Sequence, residues 1–368
     1  MRVLHLLCST GWGGAERIAC TLLRLQRAHG LECFVDGPPL PEVVHGVQEE
    51  TNDTLPSGHS SGASWRWAHE ARKRRSLLQP DLVHVHLATP GLASVAWYIV
   101  GETPTVVTFH LLPQAQRWSK DYLLPLRSER VIQLFDRHHS AHRLVTVSHA
   151  DKQRLVLRLP QAQVRVIQNV PPLPPLNAKP SAPLCYPGTA LRLLSVGRLE
   201  AQKGFERLVQ ALGDPRFQDL DWHWNIVGEG TERGRLEELV RSLGLASRIT
   251  LVGARPAHDL FTQADLVLCP SRFEGMPLVP LEAQLAGVPV VVSDIAAHRE
   301  LFGKVPDCFL PGDETAWAGR LYELLASREA VRNLGNLLQA ERPEDPRQRF
   351  LRQYLSSYDD ALELPLDA

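Results

Sequence analysis

Short apolar runs alternate with helical patterns along this chain in two series, and one proline-dense stretch, VPPLPPLNAKPSAPLCYPG over 170–188, parts them. Alternation of this kind constrains the fold strongly, because parallel strands need a crossover connection and a helix supplies it. The first series offers strands at Val3–Cys8, Leu82–His86, Thr105–Phe109, Leu144–Val147 and Val164–Ile167. The second offers Leu191–Val196, Trp222–Val227, Ile249–Val252, Asp265–Cys269 and Val288–Ser293. The stretch between them lacks helical periodicity and reads as an extended, semi-rigid linker. At 368 residues the chain also exceeds what one hydrophobic core usually supports. The expected organisation is therefore α/β, with one domain over 1–170, a linker over 171–188, a second domain over 189–345 and a final amphipathic helix within 346–368.

Charge and cysteine usage narrow the partners. Forty Lys and Arg stand against 41 Asp and Glu, for a formal net charge of -1. A protein whose main partner is nucleic acid generally needs a basic surface to neutralise phosphates, so the balance argues against that class. The six cysteines are scattered without CxxC spacing, and several lie in apolar runs. That usage fits a reducing cytoplasm. The opening run Met1–Cys8 is too short for a secretory signal, and no apolar run approaches the roughly 18 residues of a spanning helix. A soluble or peripheral protein is expected.

Three strand-to-loop-to-helix junctions carry chemistry. STGWGGAERIA over Ser9–Ala19 is a glycine turn leading into a helix, where backbone N–H groups can approach an anion. By itself the turn is equally a tight connection without ligand, since it matches neither the dinucleotide fingerprint nor the P-loop. LSVGRLEAQKGF over Leu194–Phe205 repeats the arrangement and adds two cations, Arg198 and Lys203, suited to a diphosphate whose charge grows as a bond to it breaks. SRFEGMPLVPLEAQLAGVPV over Ser271–Val290 sets two carboxylates eight residues apart, Glu274 in the loop and Glu282 on the helix that Pro277 opens. Ligands of open α/β sheets bind outside the carboxyl ends of strands, which is where all three junctions fall.

Together these strings resemble those of the family 4 glycosyltransferases. The resemblance covers most of residues 1–300 and is strongest over 194–300. It implies the GT-B fold, two Rossmann-like βαβ domains facing a central cleft, with retention of anomeric configuration. It further implies that Gly13 and Gly14 lie over the donor pyrophosphate, that Arg198 and Lys203 clamp it, and that the Gly275-Met276-Pro277-Leu278 turn borders it. Glu274 would then contact donor-sugar hydroxyls and Glu282 the ribose hydroxyls. Gly228, in VGEG, and Gly253 with Arg255, in VGARP, match positions around the nucleoside. The final helix would cross back onto the first domain. No cofactor or metal is implied.

Twelve of the fifteen histidines precede the linker. His84-Val85-His86 places two imidazoles on one face of a strand, which is half a metal site, yet no third ligand with recognisable spacing follows. His110 ends the strand VTFH, and the resemblance places it beside the reacting anomeric carbon. The chain departs from the pattern at Leu111, where relatives often carry Asp, and over Val166–Pro171, which keeps only Asn169 of an Asn-Gly-Val-Asp turn. The stretch from Arg117 to Arg143 mixes cations and aromatics. It reads either as a solvated amphipathic helix or as a dock for an acceptor or anionic lipid. The basic run Glu70–Arg75 reads as a helix surface.

The expected function is retaining transfer of a sugar from a nucleotide-diphosphate donor to an acceptor hydroxyl, in polysaccharide or glycolipid assembly. The expected partners are that donor, a sugar or lipid-linked acceptor and the inner membrane face as a peripheral contact. Two other readings stand beside it. A nucleotide-sugar-binding protein without catalysis would keep the same loops, and a glycosidase would use Glu274 and Glu282 as acid and nucleophile. The diphosphate clamp disfavours the glycosidase. Donor base, sugar and acceptor carry no transferable code in the sequence.

Overall fold

Leucine, valine and histidine fill β1 (Arg2–Cys8), which is buried along all but its first residue. Such a strand is covered on both faces. The chain continues through α1 (Gly14–Ala28), β2 (Glu32–Asp36), α2 (Pro41–Thr51), α3 (Trp65–Leu78), β3 (Leu82–Leu87), α4 (Ala93–Val100), β4 (Thr105–Phe109), β5 (His142–Thr146), α5 (His149–Arg158) and β6 (Val164–Val166). These six strands form one parallel sheet in the order β2-β1-β3-β4-β5-β6. The computed structural model describes every residue except Thr10, 56–64, 88–91, 113–141, Gln161, Pro175, 177–182, 342–345 and 364–368. Most of the cationic and aromatic stretch from Arg117 to Arg143 therefore lies outside the described residues.

After the proline-dense stretch come β7 (Leu191–Val196), α6 (Phe205–Leu212), β8 (Trp222–Val227), α7 (Arg233–Ser242), β9 (Ile249–Gly253), β10 (Leu266–Cys269), α8 (Leu278–Leu285), β11 (Val290–Val292), α9 (Ala296–Phe302), α10 (Trp317–Leu325) and α11 (Arg328–Ala340). The second sheet is also parallel, in the order β11-β10-β7-β8-β9. Helix α12 (Pro346–Leu362) closes the chain. The molecule divides into two compact units, Met1–Ala178 with Asp345–Ala368, and Lys179–Glu344.

Strand β2 is the element that periodicity does not announce. Its sequence, ECFVD, carries charge at both ends, and it forms by pairing with β1 from Arg2↔Glu32 to Leu6↔Asp36. The proline-dense stretch is also less free than its composition suggests. Its start is held to the first unit by Leu173 N–H on Thr21 Oγ1 and by Arg24 on the Pro174 carbonyl. Its end is held to the second by Leu184 N–H on Gln263 Oε1 and Asn225 on the Cys185 carbonyl.

Alternation along the first sheet separates two cores. Leu4, Leu6, Val83, Val85 and Val107 pack on one face with α4 and Trp67. Leu7, Cys20, Val43 and Val47 pack on the other. His5, His84, His86 and Thr108 alternate with the first set, so they point to the second face. There α12 lays Phe350, Tyr354 and Tyr358, all buried, against the sheet and α1. Among the described residues no helix is long and apolar enough to cross a membrane.

Candidate active site

In the second sheet the chain builds outward from β7, through β8 and β9 on one side and β10 and β11 on the other. The strand order therefore reverses between β7 and β10, and the crevice outside their carboxyl ends is the topological switch point where open sheets take ligands. The loop after β7 carries Gly197 to Gly204, and the loop after β10 carries Pro270 to Pro277.

These two loops are bound to each other. Lys203 Nζ donates to Glu274 Oε1 at 2.6 Å, and Ser271 Oγ donates to the same oxygen at 2.7 Å. Gln202 spans the loops through its Nε2, which reaches the Phe273 carbonyl at 3.0 Å, while Arg272 N–H returns to the Gln202 carbonyl at 2.8 Å. The approach needs glycine at 204: its φ is +64°, and a Cβ there would stand 2.5 Å from the Pro270 carbonyl oxygen. Burial pushes the Glu274 carboxyl up, but the Lys203 charge and the hydrogen bonds from Lys203 and Ser271 outweigh it and hold the group below the ordinary carboxylate range.

Behind the pair, His298 on α9 is fully buried and donates Nδ1–H to the Ser293 carbonyl at 2.8 Å. Burial holds its pKa down at about 4, so the ring is neutral and Nε2 is a lone pair without a partner among the described residues. A small cavity bounded by Lys203, Ser271, Glu274, Pro277 and His298 lies at this point. A wider open depression of about 500 Å³ on the same unit borders Arg207, Asp214 and Glu314 and contains none of the residues singled out above.

Arg198 is exposed and, among the described residues, has no ion-pair partner. Lys203, by contrast, is not a free cation here but the partner of Glu274. Pro277 is extended and stands as the N-cap of α8 without a side-chain cap, so the helix begins at Leu278 with open N–H groups. Gly275, Met276, Pro277 and Leu278 are buried, and Glu282 is half-buried in the middle of α8. Gly228 and Gly253 close the ends of β8 and β9, where Gly228 N–H donates to the Gly253 carbonyl at 3.0 Å. Arg255 follows, half-buried.

In the first unit, Gly13 is the N-cap of α1 and its carbonyl accepts from Arg17 N–H. Trp12 packs onto Gly46 of α2, where a Cβ would collide with the indole at 2.2 Å, so the turn is fixed in place. Gly14 opens the helix. Glu16, buried in the first turn, brings a carboxylate beside Gly13, so this turn is not purely electropositive. His110 follows β4 and is buried, and its Nε2 lies 3.2 Å from His86 Nδ1.

The histidine pair of β3 acquires the third neighbour that spacing did not supply. One ring nitrogen from each of His5, His84 and His86 lies within 4.8 Å of the other two, and the three rings carry six nitrogens in all. All six are already engaged, His5 with Gln26 and His86, His84 with Tyr358 and Thr108, and His86 with His5 and His110. A metal ion would have to displace those bonds.

Comparison with known proteins agrees with this architecture. Residues 12–170 match the family described as Glycosyltransferase Family 4, and residues 190–327 the one described as Glycosyl transferases group 1. The D-inositol 3-phosphate glycosyltransferase of Arthrobacter sp. is 26% identical over 361 residues, covering 91% of this chain and 81% of that protein. The lipopolysaccharide core biosynthesis mannosyltransferase LpsB of Rhizobium meliloti is 37% identical over 111 residues, covering 28% of this chain and 32% of that protein. In fold the chain is similar to Anabaena HepE, solved with UDP and glucose, at TM-score 0.75 and 19% identity over 98% of this chain and 99% of that one. It is likewise similar to the sucrose-phosphate synthase of Thermosynechococcus elongatus, at TM-score 0.73 and 17% identity over 98% of each. Two parallel-sheet units of this kind give the GT-B fold, and the family matches make the chain a glycosyltransferase. The chain belongs to glycosyltransferase family 4.

Sequence reasoning missed Ser271, Gln202, Ser293 and His298 around Glu274, and His5, Gln26, Tyr354 and Tyr358 around the β3 histidines. For Ser271 a signal existed, since it stands three residues before Glu274 in the same loop. Gln202 likewise stands beside Lys203 in the loop already singled out; for the others no signal existed, because they come from elements distant in sequence from Glu274 and the β3 histidines.

Proposed function

We propose that this glycosyltransferase takes a sugar from a nucleotide-diphosphate donor and passes it to an acceptor hydroxyl with retention of configuration, in the assembly of a polysaccharide or glycolipid. The observation that carries the reading is the junction at the switch point, where the Arg198–Lys203 loop meets Glu274. Arg198 presents an unneutralised guanidinium for the departing diphosphate, and Lys203 adds a second cation held in place by its carboxylate. Glu274, ionised and fixed by Lys203 and Ser271, accepts from the hydroxyls of the sugar. Glu282 takes the ribose, and Gly228, Gly253 and Arg255 border the base. The open N–H groups at Leu278 favour negative charge. In the first unit the reading assigns the Gly13 and Gly14 amides to an anion and His110 to the sugar.

Glu274 accepts from Lys203 and Ser271 on one oxygen and from Gln202 Nε2 on the other at 3.4 Å, which suits an orienting group rather than a nucleophile. Retention then follows a front-face course. The acceptor oxygen bonds to the anomeric carbon on the side from which the diphosphate leaves, the bond from that carbon to the phosphate oxygen breaks, and the acceptor proton passes to the departing phosphate. Arg198 and Lys203 stabilise the charge that develops there, so this reading uses no metal. The relation to LpsB supports a polysaccharide or lipid-linked acceptor, and the fold shared with HepE, solved with UDP-glucose, supports a nucleotide-sugar donor. With such an acceptor, the reading is of a cytoplasmic protein peripheral to the inner membrane face.

Calorimetric titration with UDP, GDP and ADP, followed by transfer assays with the matching sugar nucleotides and NMR of the product anomer, tests this. Binding of one diphosphate and a retained anomer are expected. A chain that binds none of them is not a transferase of this kind, binding without transfer identifies a non-catalytic binder, and an inverted product removes the front-face course.

A further inference from the structure

A line of buried side chains that the proposed transfer does not use ends on His110. Gln26 Oε1 lies 2.8 Å from His5 Nε2, His5 Nδ1 lies 3.0 Å from His86 Nε2, and His86 Nδ1 lies 3.2 Å from His110 Nε2. His110 Nδ1, the far end, is buried and has no partner among the described residues.

The hydrogens along this line are not independent. Burial holds His5 and His110 at about 4 and His86 well below the ordinary imidazole value, so all three rings are neutral at neutral pH. A neutral imidazole has one N–H and one lone pair, so the role of one nitrogen dictates that of the other. Gln26 starts the sequence. Its amide nitrogen donates to Tyr358 Oη at 2.8 Å, and the Cys33 thiol donates to its oxygen, which leaves Oε1 facing His5 as an acceptor. His5 must then carry its hydrogen on Nε2 and offer Nδ1 as a lone pair. His86 in turn donates from Nε2 and accepts at Nδ1, and His110 donates from Nε2. The lone pair is passed on at each ring and emerges on His110 Nδ1.

We propose that Gln26 is a remote positioning residue which, through His5 and His86, sets the tautomer of His110, so that Nδ1 meets its ligand only as a hydrogen-bond acceptor, for a sugar hydroxyl. This rests on the reading that His110 borders the sugar. The line also accounts for three polar rings standing at buried positions of β1, β3 and the end of β4. Apolar side chains would fill that space and transmit nothing.

The test reads the tautomer directly. In protein labelled with 15N-histidine, long-range 15N–1H correlation distinguishes a protonated ring nitrogen from a bare one. The wild-type chain should show His5, His86 and His110 each protonated at Nε2 and bare at Nδ1. Gln26→Met, of similar volume, should mix the two tautomers at His110 and lower kcat/KM for transfer by about 3- to 10-fold, the loss of one hydrogen bond, with nucleoside diphosphate affinity unchanged. A wild-type His110 protonated at Nδ1 overturns the proposal without any variant, as does a His110 tautomer that Gln26→Met leaves pure. A mixed tautomer with wild-type kcat/KM overturns its use in transfer. If the wild-type chain transfers no sugar at all, the functional reading has failed, and the spectra still decide whether the relay exists.

Discussion

At the scale of single residues, the two cations of the β7 loop behave differently because only one is paired. Arg198 is exposed and without an ion pair among the described residues, so Arg198→Ala should change stability by no more than about 0.5 kcal/mol. The same substitution should lower kcat by about 100- to 1000-fold if the guanidinium meets the leaving diphosphate. Lys203→Ala should lower both stability and kcat, since it strips the half-buried Glu274 carboxylate of its cation at a cost of about 1–3 kcal/mol. Parallel denaturation and turnover measurements separate the two, and equal stability losses would show that the Lys203 pair contributes nothing. Glu274→Gln retains an acceptor for Ser271 but not the charge. It should leave diphosphate binding by calorimetry nearly intact while abolishing transfer, and a lost binding isotherm would move Glu274 from the sugar to the nucleotide.

Elements meet at glycines, and their backbone geometry decides what each tolerates. Gly228 ends β8 at φ +149°, with the site of a Cβ only 1.9 Å from the Gly197 carbonyl oxygen that ends β7. Gly228→Ala must push the two strand ends apart and should cost about 3–5 kcal/mol. Gly234, inside α7, has φ in the ordinary range and open space where a Cβ would stand. Gly234→Ala should therefore stabilise, by about 0.4–1 kcal/mol, through the lost freedom of the unfolded chain. Urea titrations of both check the pair, and a neutral Gly228→Ala would show that the strand ends can separate freely. Sequence pattern locates both glycines in a turn or a helix. Only the packing of one strand end on the next gives the same substitution opposite signs.

For the whole molecule, the buried histidines make stability depend on pH with a definite sign. His5, His110 and His298 sit at about 4 in the folded chain against an ordinary value of 6.5. Above pH 6.5 neither state binds these protons. Between 6.5 and about 4 the unfolded chain binds them and the folded chain does not, so stability falls as pH falls through that window. Thermal midpoints measured from pH 7.5 to 4.5 should drop steadily below about 6.5, and a flat profile would mean that the rings protonate without unfolding. Helix α12 is part of the same design, because Tyr358 and Tyr354 hold His84 and Thr108. A chain ending before Pro346 should lose about 1.5–3 kcal/mol for each of the three buried rings, Phe350, Tyr354 and Tyr358, and expose the polar face of the sheet.

What the sequence determined by itself is what the chain encodes locally. Alternating apolar runs and helical periods specified two βα series, proline density marked a break in periodicity between them, and the glycine turns with Arg198, Lys203 and Glu274 marked strand ends, with Glu282 on the helix that follows. Each of these signals spans fewer than about 20 residues, the reach of periodicity and turn chemistry. Strand β2 escaped because charge at both ends leaves only Cys33, Phe34 and Val35 as an apolar run, and pairing with β1 makes it a strand. Tertiary structure decided the rest. Lys203 and Glu274 stand 71 positions apart, and they touch because strand order makes β7 and β10 neighbours. His5, His86 and His110 join into one line because the registers β1↔β3 and β3↔β4 set their side chains on the same face. Strand order and register are properties of the assembled sheet, in which pairings between distant segments compete, and no local stretch of the chain records which pairing wins.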